Sequence, residues 1–383
     1  MKTRILGAIL ASALIAQPAL ALKIDLFDQG GLAEDTAAYN SFRKAADFWE
    51  SMITTDTTLR IDIKFYGQGV NGPIGGTENY YYVPNVGTVV TALGAVGNSA
   101  LDAIAIANLP DASSGSIGMW KPGYTNAFYQ TGADPFSSIY DNDGSWNNQA
   151  FGVTWAQGKA LGLIQVDSYK DGKINFNSDL NFDFDPTDGI SKGAYDFTFT
   201  AFHEIGHIMG FTSGVDYYDA YAPNIWRNWN YDWIGHGMDM FRYSANGLDW
   251  SMGGNPFFSI DGGATAFMDG YFSTGVNWGD GQQASHWKEG LGMMDPTSRR
   301  GEMGVVNALD MAAFDALGWN LNFDVLANPD FRANTRLMFG VVPEPSSWAM
   351  LIAGFGFVGL MARRRYRPNN SGSSAEREHQ LFG

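Results

Sequence analysis

The chain has no cysteine. Disulfides and zinc–thiolate sites are therefore excluded, and any bound metal must use histidine or carboxylate ligands. Positive charge is scarce: 24 Lys and Arg stand against 40 Asp and Glu, a net charge of −16. That balance argues against a nucleic-acid partner. Long apolar runs are lacking as well. The runs at residues 5–16 and 348–362 both fall short of the roughly 20 residues that a stable membrane span prefers. There is no internal repeat. What is present is 383 residues with 45% apolar and 14% aromatic content. That suffices for one large domain or two modest ones with a proper core. Gly and Asn are abundant, which suits an exported, loop-rich protein.

Histidine is also rare, at five residues, yet two of them are paired. Residues 195–211 read Y-D-F-T-F-T-A-F-H-E-I-G-H-I-M-G-F, with His203, Glu204 and His207 in an H-E-x-x-H pattern. Residues four apart on a helix stand one above the other. At about 100° per residue, His203, His207, Phe199 and Gly210 share one arc. Ala201, Phe202, Ile205, Ile208 and Met209 fall roughly opposite. The helix therefore buries one side and shows the other to a cleft, with Glu204 flanking the histidines. Two imidazoles so placed suit Zn²⁺, which in catalytic sites keeps three protein ligands and one open position. Such a metal lowers the pKa of its water from about 15.7 to about 7. Glu204 then serves as general base and acid.

In chain order, Lys2 and Arg4, the apolar run 5–16 and Ala19-Leu20-Ala21 read as a Sec-type signal peptide, residues 1–21. The spacing of Ala38, Phe42, Ala45, Ala46 and Trp49 predicts a helix over 35–53 with Asp35 as its cap. Residues 57–67 alternate as a half-buried strand. A Gly-rich turn is expected at 67–76, a short edge strand at 80–83, a helix at 86–93 and a buried strand at 100–107. Residues 108–150 read as turn-rich, and 173–177 as a short strand. Asp179, Asp183, Asp185 and Asp188 form an acidic segment that suits either a solvated loop or Ca²⁺. Short strands are expected at 238–243 and 257–260, and a helix at 305–317. The order of elements predicts an α+β fold: a twisted mixed sheet with a backing helix and the active-site helix, followed by an irregular C-terminal subdomain. The expected divisions are 1–21, 22–214, 215–335, a linker at 336–347, a hydrophobic helix at 348–362 and a basic, polar tail at 363–383.

The run His203-Glu204-x-x-His207-x-x-Gly210-Phe211 resembles the zincin metallopeptidases, and Gly210 resembles the turn glycine of the metzincin clan. Ser213 stands where the short metzincin pattern has its third ligand. No Glu occurs between Glu204 and Glu289, so the thermolysin-like pattern is not met. The leishmanolysin-like branch is similar: a long insertion precedes a distant third histidine and a methionine turn. That resemblance implies His286 as third metal ligand and Met294 (or Met293) as the turn methionine. His236 is the rival ligand, or a cleft residue that steadies an oxyanion. Asp216 and Asp219 are further candidates. The implied activity is zinc-dependent hydrolysis of a protein or peptide substrate, with an edge strand binding it by strand addition. The alternatives are a surface or biofilm-matrix protein with a structural zinc, and a zinc hydrolase of a non-protein ester or amide.

Val342-Pro-Glu-Pro345, the apolar run 348–362 and Arg363, Arg364, Arg365 and Arg367 resemble the PEP-CTERM sorting signal of Gram-negative bacteria. It implies an exosortase-type sorting enzyme as partner and transient anchoring in the inner membrane. By the positive-inside rule the arginines stay cytoplasmic and the catalytic domain lies outside. The expected destination is the periplasm, outer surface or extracellular matrix.

Overall fold

The computed structural model describes residues 21–166, 168–222 and 226–340. The signal peptide, all but its last residue, and the terminal sorting region from 341 onward lie outside the described residues. The fold is mixed α+β with several small sheets.

In chain order the elements are β1 (Lys23–Asp28), α1 (Ala37–Met52), β2 (Thr58–Tyr66), β3 (Gly75–Asn79), β4 (Tyr81–Tyr82), α2 (Val86–Val96) and α3 (Ala100–Ala107). Then come β5 (Met119–Asn126), β6 (Thr131–Asp141), α4 (Trp146–Gln149), β7 (Phe151–Thr154), α5 (Trp155–Ala160), β8 (Gly172–Asn177) and β9 (Phe182–Asp183). The second half carries β10 (Tyr195–Asp196), α6 (Phe197–Ile208), α7 (Val215–Tyr221), β11 (Gly235–His236), β12 (Arg242–Ser244), β13 (Gly247–Leu248) and β14 (Phe257–Phe258). It closes with β15 (Val305–Asn307), α8 (Ala308–Ala316), β16 (Arg332–Asn334) and α9 (Thr335–Phe339).

The main sheet runs β1-β2-β8-β3. Its first three strands are parallel, and β3 pairs antiparallel with β8 as the outer strand. Leu59, Ile61 and Ile63 of β2 are fully buried, as the alternation requires. Helices α1 and α6 share one face of the sheet. Phe42 of α1, Phe176 of β8 and Phe197 of α6 meet there in aromatic contacts. Trp49 stacks on Phe202 at 4.3 Å and donates its indole N–H to the Phe202 carbonyl. The α1 stripe thus becomes the backing for the H-E-x-x-H helix.

Several local expectations change. The cap of α1 is Thr36, whose hydroxyl accepts from Tyr39 N, while Asp35 takes a positive φ of 67°. Residues 100–107 are helix α3, not a strand. Ser99 and Asp102 form a reciprocal capping box, and the apolar run is Ala-rich rather than β-branched. The cleft-side edge strand is β3, which begins in the last two residues of the stretch expected as Gly-rich turn and runs on to Asn79. The short edge strand expected at 80–83 is present as β4, paired with β7 at the edge of a separate small sheet. Residues 108–150 contain the β5–β6 hairpin, bulged between Pro122 and Gly123. The predicted strand at 238–243 is a 3₁₀ turn, Gly237–Phe241, before β12. The predicted helix at 305–317 starts as β15 and becomes helical only after the Asn307 cap. An opening strand, β1, precedes the first predicted helix. Its six residues are too few to display a clear period.

Candidate metal centre

Asp196 starts the site. Its carboxylate caps α6 by accepting from Phe199 N at 3.0 Å, and also accepts from Gly304 N and the Thr335 hydroxyl. Ala201, Phe202, Ile205 and Ile208 are fully buried, so the helix cannot rotate without exposing its core face. His203 and His207 consequently share the opposite face. The helix ends at Ile208 with Met209 as its cap, and the chain turns at Gly210, whose φ of 112° belongs to the region that favours glycine. That turn brings the Phe211 carbonyl back to His207 Nδ1 at 2.7 Å.

His286 arrives from 79 residues downstream. The three Nε2 atoms form a near-equilateral triangle. His203 and His207 are 3.1 Å apart, and His286 lies 3.2 Å from each. Two of the three rings have their proton placed on the far side. His203 Nδ1 faces the Met293 carbonyl at 2.8 Å and His207 Nδ1 faces that of Phe211. A carbonyl only accepts, so both rings carry the proton on Nδ1 and present a bare Nε2 lone pair. Lone pairs converging at this distance repel unless a cation lies among them. A tetrahedral zinc with Zn–N bonds of about 2.0–2.1 Å places neighbouring nitrogens about 3.3–3.4 Å apart. The donor set therefore fits zinc in chemistry and in size. Burial reinforces the neutral state: it drives His207 down to about 3, the repulsion of a second cation on His203 being a further cost of charging it, and takes His286 well below its ordinary value.

Among the described residues, His203, His207 and His286 are the one group of three or more potential ligands whose donor atoms converge. His236 is outside it. Its ring stacks on Tyr81 at 4.5 Å on the cleft wall, and burial pulls its pKa down to about 4. Asp216 accepts from Ala284 N and Ser285 N, and Asp219 from Asn277 N and Trp278 N. Ser213 donates to Asp239 at 2.6 Å. Three carboxylates of the acidic segment also accept backbone N–H groups. Asp179 accepts from Gly69 N, Asp183 from Asp185 N and Ser191 N, and Asp185 from Thr187 N.

Both methionines after His286 are fully buried beneath the triad. Met293 supplies the carbonyl to His203, and the Met294 sulfur would lie 2.8 Å from a Cβ placed on Gly206. The short loop closes through Trp287 N donating to the Met294 carbonyl at 2.9 Å. Asp310 holds it from below, accepting from Met293 N, Trp287 Nε1 and Asn307 N. Burial pushes Asp310 up to about 6 against those hydrogen bonds.

Glu204 lines the same cleft, which has a volume of about 840 Å³. Thr77 of β3 donates to its Oε2 at 2.7 Å. Burial raises the Glu204 pKa, opposed by His203 and by the Thr77 bond. Gly75 leaves room beside it: an added Cβ would sit 3.0 Å from Glu204 Oε1 and from Thr200 Cγ2, and those side chains would have to give way. Thr77, Gly75, Tyr81 and Asp310 were not singled out from sequence. The G-G-T-E-N run held a weak strand signal, masked by its glycines. Asp310 held a visible one, three residues after Asn307 at a helix start.

No helix among the described residues is long and apolar enough to cross a membrane. A family model for the PEP-CTERM protein-sorting motif matches residues 341–365. No curated protein and no solved structure matches the chain. The C-terminal segment therefore carries a sorting signal of the kind that exosortase-type enzymes recognise, implying an exported protein of a Gram-negative bacterium.

Proposed function

We propose that the chain is an exported zinc-dependent metalloendopeptidase of zincin type. The observation that carries this reading is the convergence of three Nε2 atoms beside the buried, Thr77-bonded Glu204. His203, His207 and His286 would hold the zinc, which would supply Lewis acidity to a substrate carbonyl and to the attacking water. Glu204 accepts a proton from the attacking water as oxygen bonds to the carbonyl carbon. It passes that proton to the leaving nitrogen as the C–N bond breaks. Burial raises its pKa, the direction that strengthens a carboxylate as a base. The outer strand β3 lines the cleft and offers backbone groups to an extended peptide by strand addition. Ser213 is engaged with Asp239, which agrees with a third ligand supplied from far along the chain.

The test uses the full-length chain and its Glu204→Gln variant. Zinc is counted by elemental analysis, and casein hydrolysis is followed with and without a chelator. The expected result is one zinc in each protein and chelator-sensitive hydrolysis in the wild type alone. Zinc without hydrolysis in either protein would favour a structural metal or a non-protein ester or amide substrate. Absence of zinc would overturn the reading.

A further inference from the structure

We propose that Asp216 is the positioning residue for His286, and that α7 is the peg onto which the excursion between the two halves of the triad closes. This rests on the zinc reading above and adds how its third ligand is set.

The three rings are not anchored alike. His203 and His207 each have Nδ1 fixed by a backbone carbonyl. His286 Nδ1 is buried without a well-formed hydrogen bond, although the Gln283 backbone lies nearby. With no such anchor on the ring, its placement leans on the backbone that carries it. Asp216 supplies that. One carboxylate oxygen accepts from Ala284 N at 2.6 Å and the other from Ser285 N at 3.1 Å. Charge-assisted bonds of this kind are about twice as strong as neutral ones. From the other side, buried Arg242 donates to the Ala284 carbonyl at 3.3 Å and to the Ser273 carbonyl at 2.8 Å. Ser273 N in turn holds the His286 carbonyl at 3.0 Å. Both polar groups of Ala284 are thus gripped by charged side chains, two residues before the ligand.

Asp219 provides the natural contrast. It lies one turn along the same helix, and its carboxylate takes Asn277 N and Trp278 N at 2.9 and 2.8 Å. It pins the same excursion, but eight or more positions from His286 by sequence. Asp216 and Asp219 therefore separate two roles: setting the ligand and stabilising the loop.

The experiment compares full-length wild type, Asp216→Asn, Asp216→Ala, Asp219→Asn and His286→Ala. Zinc affinity is measured by chelator competition, and coordination by the visible spectrum of the Co²⁺-loaded proteins. Loss of an outer partner of a metal ligand typically weakens binding about 10–100-fold. Asp216→Asn is expected to fall in that range, with a Co²⁺ spectrum displaced toward that of His286→Ala. Asp219→Asn is expected to stay within about threefold of wild type on the same principle, because it touches no residue next to a ligand. Asp216→Asn, which is nearly isosteric, keeps the test decisive should Asp216→Ala fail to fold. Wild-type affinity and spectrum in Asp216→Asn, with both lost in His286→Ala, would overturn the positioning role. So would equal losses in Asp216→Asn and Asp219→Asn, which would mark general loop stability as the cause. Equal zinc binding by wild type and His286→Ala would instead overturn the zinc reading itself.

Discussion

The two halves of the triad are built by opposite means. His203 and His207 sit on one helix whose buried face is apolar, and their spacing follows from 3.6 residues per turn. His286 sits in an irregular segment held by Asp216, Arg242 and Asp310, three charged side chains withdrawn largely or wholly from solvent. The first half depends on non-directional packing, the second on directional bonds to backbone groups. Packing tolerates shape-conserving change; a buried polar grip does not, because a lost partner leaves an orphan donor. The loop half should therefore break more sharply and more locally than the helix half.

The largest effect tests neither half but the group between them. Glu204→Gln should retain zinc while kcat falls by about 10²–10⁴-fold, the usual worth of a general base. Wild-type turnover in a casein assay would remove Glu204 from the mechanism. Next, Asp310→Ala orphans the buried indole N–H of Trp287 and the N–H of Met293 together. At about 1–3 kcal/mol for each of these two unsatisfied donors, a loss of roughly 2–6 kcal/mol is expected in urea denaturation. A loss below about 1 kcal/mol would show that this grip contributes little. On the helix side, Trp49→Ala removes the stacked support of Phe202 and should cost about 3–5 kcal/mol by cavity formation. Zinc stoichiometry should survive at temperatures where the variant stays folded. If Trp49→Ala abolished metal binding in a folded protein, the helix pair would not be the autonomous half.

A smaller effect is expected at the strand facing Glu204. Gly75→Ala crowds Glu204 Oε1 and Thr200. Displacing a reacting group by a fraction of an ångström should lower kcat on the order of 10-fold, with stability little changed. The smallest change is Thr77→Val, which removes the hydroxyl held at 2.7 Å from Glu204. A loss of about 0.5–1.5 kcal/mol, the net worth of one such bond, is expected in kcat/KM rather than in zinc affinity. A change in zinc affinity instead would place Thr77 with the ligands' supports rather than with the base.

Parts of this molecule were legible in one dimension. The α1 stripe with Phe42 and Trp49, the alternating β2 strand and the H-E-x-x-H helix all carry their period within a few residues. The structure returns them nearly as read. Helix α3 was misread because an Ala-rich apolar run has no period that separates helix from strand. The Ser99–Asp102 box was the signal to follow. The edge strand β3 was hidden because glycines read as a turn, whereas here they make room for Glu204.

By itself the sequence determined the histidine pair on one helix, the position of Glu204 beside it, the absence of thiolate ligands and the terminal sorting signal. Each is a local pattern or a simple absence. Only the tertiary structure decided which distant residue completes the triad, why His236 does not, and what holds Glu204. Those outcomes depend on contacts such as Asp216 with Ala284, 68 positions apart, and Thr77 with Glu204, 127 apart. No sequence period encodes a contact at that range. It exists only once burial leaves each polar group a single partner within reach.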